Sequence, residues 1–233
     1  MRADGLPRRA ALAGLIGCGL APLAGAQPCA AGAEGLPVPP GGRLVFTILR
    51  SGATVGSHVV RFARTGAALL VTSEVSIVIR FGPIPVFRYI HHVEEAWDMN
   101  ADGSGALRSA SANTDDDGTK HFMRARATPQ GLAVESDKGG AYTAPPGTLI
   151  ATHWNRAELD GPMVNPQGGK LLAPQVRIGP TAPVALADGS AVEARRYALT
   201  GDARLDLWYD LSAQWTATRF VAQDDSVVLY RRV

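Results

Sequence analysis

The sequence predicts a mainly β protein: a strongly curved antiparallel sheet, an open or half barrel, with one short helix on its concave face. Three observations lead there. Apolar and polar residues alternate with period two through residues 69–81, turn-forming residues recur at short regular intervals, and a single stretch breaks the alternation with helical spacing.

Taken in order, the first strands are expected at 44–50 and 54–63. The next is the clearest: Leu69, Val71, Ser73, Val75, Ile77, Ile79 and Phe81 fall on one side, and Thr72, Glu74, Ser76 and Arg80 on the other. At about 3.3 Å per residue it runs roughly 43 Å, too long to stay straight in a small protein. Gly82-Pro83-Ile84-Pro85 interrupts the ladder, because proline has no N–H to donate. A strand over 86–98 follows, with Phe87, Tyr89, His91, Val93, Glu95 and Trp97 on its aromatic face.

Further strands are predicted at 106–113, 121–127, 132–136, 191–200, 205–210, 215–222 and 227–232. Turns at Asn100 to Gly103, Asp115 to Gly118, Asp188-Gly189 and Asp224-Asp225 space them as an antiparallel meander. In "PPGTLIATHWNRAELDGP", Leu149, Ile150, His153, Trp154 and Ala157 recur at intervals of three and four between proline and glycine breakers, which predicts the helix.

Residues 1–26 read as a secretory signal peptide: Arg2, Arg8 and Arg9 precede an apolar run ending in Ala24-Gly25-Ala26. The expected location is therefore periplasmic or secreted, with cleavage after Ala26. The Arg8-Arg9 pair keeps the twin-arginine route open beside the general one. Leu15-Ile16-Gly17-Cys18 resembles a lipoprotein box, so a lipid anchor at Cys18 is the rival processing event. Residues 27–42, rich in proline and glycine, read as a flexible tether, and 43–233 as a single β-rich domain.

Removing three arginines and Asp4 from 23 basic and 21 acidic residues leaves 20 of each. A balanced domain has no electrostatic reason to bind nucleic acid. No segment approaches the roughly 20 apolar residues of an integral span. With only Cys29 left after cleavage, no internal disulfide is expected and packing must supply the stability.

Candidate chemistry is sparse. "DMNADG" (98–103) opens like a calcium loop, but Ser109 stands where the bidentate acid belongs, so the stretch reads as a hairpin turn. His91-His92 and Glu94-Glu95 carry zinc-ligand types, yet adjacent strand residues face opposite ways, and neither a metal nor a cofactor is expected. No nucleophile elbow, phosphate loop or dinucleotide fingerprint is present. On the predicted helix, Trp154 can wall a pocket into which His153 and Asn155 converge.

Several motifs resemble a family of secreted bacterial proteins, domain of unknown function 6134. They are Glu95-Ala96-Trp97 before a turn, "NTDDDGTK" (113–120), "THWN" (152–155), "LWYD" (207–210), Arg219-Phe220 and "VVLY" (227–230). The resemblance covers nearly all of the chain from about residue 44; "DMNADGSGA" is longer than the family's tight turn. More distantly, the order of elements is similar to periplasmic half-barrel proteins that resemble lipoprotein carriers. That likeness implies an apolar groove and supplies no catalytic residue.

The functional expectation is binding of a hydrophobic or lipid-like ligand in the cell envelope, through Tyr89, Glu95, Trp97, His153, Trp154 and Asn155. Two alternatives stand beside it. One is a hydrolase-type enzyme using His153 or His91 with Glu95. The other is a structural or interaction module without a ligand, with the apolar bend at 78–87 as its contact.

Overall fold

A computed structural model describes residues 35–233. The predicted signal peptide, Cys18 and Cys29 lie outside the described residues, and the expectations of export and lipidation lie there with them.

The chain first forms a meander of β1 (Arg43–Arg50), β2 (Ala53–Thr65), β3 (Ala68–Phe81), β4 (Ile84–Met99), β5 (Gly105–Asp116), β6 (Thr119–Thr128), β7 (Gly131–Ser136) and β8 (Gly140–Ala144). A loop-rich insert over 145–174 follows, carrying β9 (Leu149–Ile150), a 3-10 turn (Arg156–Asp160), β10 (Met163–Val164) and β11 (Leu171–Leu172). A second meander then runs through β12 (Gln175–Ala185), β13 (Ala191–Thr200), β14 (Leu205–Asp210), β15 (Trp215–Val221) and β16 (Val227–Arg232).

The two meanders join where β16 pairs with β1, giving one 13-stranded sheet in the order β12-β13-β14-β15-β16-β1-β2-β3-β4-β5-β6-β7-β8. Every pairing in it is antiparallel. Strands β12 and β8 each pair on one side only, so the sheet is open and not a closed barrel. In the insert, β10 pairs parallel with β9 and antiparallel with β11.

The alternation read from the sequence governs which face is buried. Leu69, Val71, Ser73 and Val75 of β3 and His91, Val93, Glu95 and Trp97 of β4 point inward, while Leu70, Glu74, Ile90 and Glu94 are exposed. The same inward face carries Phe46 of β1, Val60 of β2, Met123 of β6 and Leu207 of β14, all fully buried. Trp215 stacks on Phe46 at 4.0 Å between ring centroids. Onto this face the insert adds Ile150, Trp154, Met163 and Val164, and they share the core.

Four expectations change. The helix is absent over 148–155 and reduces to the five-residue 3-10 turn, in which Ala157 is exposed. Its backbone groups go elsewhere: the Ala151 N–H donates to Val164 O at 2.9 Å, and His153 has φ +69°, which no right-handed helix contains. The three-and-four spacing marks buried loop residues, not a helical stripe. Second, β4 begins at Ile84, not Val86, because Gly82 at φ +59° lets a two-residue turn close the hairpin.

Third, β8 to β12 fall outside the predicted strands; β12 carries Pro180 and Pro183, which an edge strand tolerates. Fourth, the described part of the expected tether is not free: Leu36 and Val38 pack against the core, the Leu36 N–H donates to Gly103 O, and Gln214 Nε2 donates to Pro37 O. Two alternating apolar residues are enough to seat this stretch on the sheet.

Strands β2 and β3 approach unusually closely at Gly56, where an added Cβ would lie 2.0 Å from Ser76 O. Gly56→Ala is expected to cost about 1–3 kcal/mol in urea unfolding, because backbone and not a flexible side chain must yield.

Candidate functional site

The inward face of β4 meets the insert at a buried carboxylate. Glu95 is 1% exposed and accepts three hydrogen bonds: Thr152 Oγ1–H (2.6 Å) and Trp154 Nε1–H (3.0 Å) on Oε1, and Trp97 Nε1–H (3.1 Å) on Oε2. Burial pushes its carboxyl up to about 7, the three donors pull it down, and neighbouring Glu158 adds to the rise. Trp154 packs edge-on against both Trp97 and Phe62 at 5.3 Å. Glu95 therefore ties the insert to the sheet.

A second buried carboxylate sits in the 3-10 turn. Glu158 accepts both the backbone N–H of His153 (2.8 Å) and its side-chain Nδ1–H (2.5 Å). Asn155 caps the turn by accepting the Ala157 N–H. Because His153 spends Nδ1 on Glu158, Nε2 is the nitrogen it keeps for another partner. The left-handed backbone at His153 is a conformation that a residue with a Cβ adopts at a cost.

Two further histidines come from the sheet. His58 Nε2 and Ser73 Oγ share a hydrogen bond of 2.6 Å, and His91 Nδ1 shares one of 2.8 Å with Thr114 Oγ1. Burial pushes His58 down to about 3, helped by His153 and His91 nearby; burial likewise pushes His91 down to about 4. Both imidazoles are therefore neutral near pH 7. Burial raises the Tyr89 and Tyr230 phenols, so they too stay uncharged.

These groups line one cavity of about 390 Å³, walled by His58, His91 and His153 together with Tyr89, Phe220 and Tyr230. Leu199 of β13 lines it too. In the sheet order β13 and β4 stand seven strands apart, about 34 Å on a flat sheet at ~4.8 Å per strand. The sheet must therefore bend around the insert to bring both flanks to one space. Charges gather where the lining is exposed, at Lys170, Asp202 and Arg204.

Of the residues expected to hold a ligand, Tyr89 and His153 line this cavity. Trp97 and Asn155 line a separate cleft beside Leu36 and Pro37. Glu95 and Trp154 are packed in the core and bonded to each other. His91 and His153 share the cavity as the enzyme reading requires, but Glu95 is taken by its three donors, and the carboxylate beside His153 is Glu158. Sequence reasoning missed Ser73 and Glu158 as site residues; Ser73 sits on the predicted inward face of β3, whereas Glu158 gave no signal because the turn that buries it was read as helix.

The "DMNADG" stretch closes on itself: Asp102 accepts from the Ser104 N–H and Oγ–H, and Asp98 pairs with Arg108. Among the described residues no three His, Cys, Asp or Glu side chains gather as a metal site.

Two outcomes follow for pH and packing. His58 and His91 bind fewer protons folded than unfolded, so their contribution to stability is full above pH 6.5 and is lost as the pH falls toward about 3 and 4. Glu95 acts oppositely, stabilising below pH 4.5 and losing that contribution as the pH rises through about 7. Between pH 7 and pH 5, His58→Leu is expected to lose about 1–2 kcal/mol less stability than the wild type in urea titrations. At pH 7, Glu95→Gln should cost about 1–3 kcal/mol, since its amide turns one donor against an indole N–H; Glu95→Ala, which orphans all three donors, should cost more.

The family model described as domain of unknown function DUF6134 matches residues 46–233. A crystal structure of a DUF1089 family protein from Pseudomonas aeruginosa is 15% identical, with 73% of this chain and 86% of that chain covered and a TM-score of 0.27. None of the curated proteins matches. The matched segment takes in β1 to β16 almost entire, including the Glu95 network and the cavity, and the chain belongs to the DUF6134 family.

Proposed function

We propose that this protein binds a small, uncharged, largely apolar ligand in the cavity between the sheet and the insert, and that it does so in the cell envelope. The observation that carries the reading is the lining itself. An apolar wall of Val75, Val93, Leu199 and Phe220 surrounds the His58 and His91 imidazoles, which burial keeps neutral, while Lys170, Asp202 and Arg204 stand at the rim. A pocket near 390 Å³ lies toward the small end of the range for ligand sites, about 300–1,000 Å³. It suits one compact ring system or a short chain better than a lipid with several acyl chains.

Apolar contact supplies affinity here and hydrogen bonds supply orientation. His91 and His153 each use Nδ1 on a protein partner, which fixes the ring and reserves Nε2. A ligand hydroxyl can meet these nitrogens, donating to His153 Nε2, whereas a carboxylate entering the inner end would lose its hydration and find no cation there. Location in the envelope is supported by the Arg2, Arg8 and Arg9 cluster, the apolar run after it and Ala24-Gly25-Ala26.

A second reading, a proton-transfer enzyme, is favoured by one observation: the buried Glu158 carboxylate orients His153 as an acid orients a catalytic imidazole. The two readings differ in the fate of the ligand. Recovery unchanged marks a binder; conversion that disappears in His153→Gln marks an enzyme.

Native mass spectrometry of the purified protein should retain a small apolar molecule, or an uncharged hydrophobic dye should bind it with one-to-one stoichiometry. Ala203→Trp, which fills the cavity rim, should weaken dye binding at least tenfold with little change in thermal midpoint. Wild-type protein that neither retains a ligand nor binds the dye would overturn the proposal.

A further inference from the structure

The β3–β4 hairpin extends past its neighbours. Strand β2 pairs with β3 only as far as Gly56↔Ile77, and β5 reaches β4 only from Tyr89. From Val78↔Arg88 to Phe81↔Ile84 the two arms thus pair with no strand but each other, and only Arg88 at the base also bonds to a neighbouring turn residue, Asp117. Val78 to Arg80 share a cleft with Ala53 to Val55 of β2, so the free end of this finger is the tip from Phe81 to Val86, roughly 10 Å long at ~3.3 Å per residue. The tip is apolar and open to solvent: Phe81 is 80% exposed, Ile84 61% and Val86 55%. Leaving such side chains in water wastes the free energy that their burial supplies elsewhere in the core.

The finger, "VIRFGPIPVFR", holds two arginines and no acid. Arg80 Nη1 donates to Pro83 O across the turn, which keeps its guanidinium at the tip of the finger. Arg88 is exposed at the base. The acids at this end of the sheet belong to other hairpins, Asp115 to Asp117 and Asp224-Asp225; Asp117 meets the finger at Arg88, where its Oδ1 accepts the Arg88 N–H and its own N–H donates to Arg88 O, and Asp224 lines a cleft with Arg80.

We propose that this finger is a docking element for a phospholipid bilayer, seating Phe81, Ile84 and Val86 at the boundary between headgroups and acyl chains with Arg80 and Arg88 at the phosphates. The chemistry fits both layers: apolar side chains partition into the boundary, and guanidinium bonds phosphate oxygens. A protein partner fits less well. A finger end offers a few hundred Å² of apolar surface, well under the ~800 Å² per partner of a stable complex. Strand addition by a second copy is hindered because Pro83 and Pro85 have no N–H to extend the ladder. A bilayer asks for no shape complementarity.

The finger lies apart from the cavity, so its test is independent of the ligand. Purified protein is sedimented with vesicles of phosphatidylethanolamine and phosphatidylglycerol, and thermal midpoint and solution mass are measured alongside. Wild-type protein should pellet with the vesicles. The double variant Phe81→Ser/Ile84→Ser should lower apparent vesicle affinity at least tenfold at an unchanged midpoint, and Arg80→Gln/Arg88→Gln should lower it severalfold. Leu211→Ser, which removes another exposed apolar side chain, 78% exposed, should leave it unchanged. Wild-type protein that stays in the supernatant, or variants that pellet as it does, would overturn the proposal. So would a wild-type dimer that the Phe81→Ser/Ile84→Ser change dissolves, since the finger's occupant would then be a second copy.

Discussion

A carboxylate buried at the junction of sheet and insert holds the architecture together. Glu95 reaches two residues along its own strand to Trp97 and 57 and 59 residues along the chain to Thr152 and Trp154. Removing a carboxylate from water is costly, and three converging donors repay part of that cost only in one geometry. The insert has little regular structure to orient it, three two-residue strands and a single 3-10 turn. Its path is set instead by where Glu95 finds its donors and where Trp154 fits between Trp97 and Phe62.

That placement creates the cavity. With Trp154 anchored, His153 is turned outward from the anchor in a left-handed conformation that Glu158 holds through two hydrogen bonds. The sheet, bending around the insert, brings His58 and His91 to the same space. Glu95 and the two sheet histidines respond to one cause, burial, with opposite consequences. Each is driven toward its uncharged form, upward for the acid and downward for the imidazoles. At Glu95, His58 and His91 the interior thus gains polar atoms whose burial favours their uncharged forms.

The two ends of β4 serve different purposes by the same alternation. Toward Met99 the strand is flanked on both sides and its inward residues are buried; toward Ile84 it outruns β5, keeps only β3 beside it, and the same kind of residue is exposed. Phe87 and Tyr89 mark the transition, each half-buried. One continuous strand therefore links the Glu95 anchor, the cavity wall and the apolar finger.

Most strands were legible in the sequence because alternation is local: period two in 69–81 or 86–98 reports a half-buried strand whichever strand lies beside it. The inward choice of His91 and Glu95 over His92 and Glu94 followed from the same period. Edge strand β12 was hidden because Pro180 and Pro183 disguise a strand that needs few ladder donors. The insert was misread because Ile150 and Trp154 are buried one at a time by a loop, and that spacing imitates a helix. Only the tertiary structure decided that Trp154 would meet Glu95, that His153 would pair with Glu158 and not with Glu95, and that β4 and β13 would face one cavity. Such partnerships depend on sheet bending and on the route of the insert, and a buried polar group takes whichever partner that route brings within about 3 Å, which no spacing along the chain encodes.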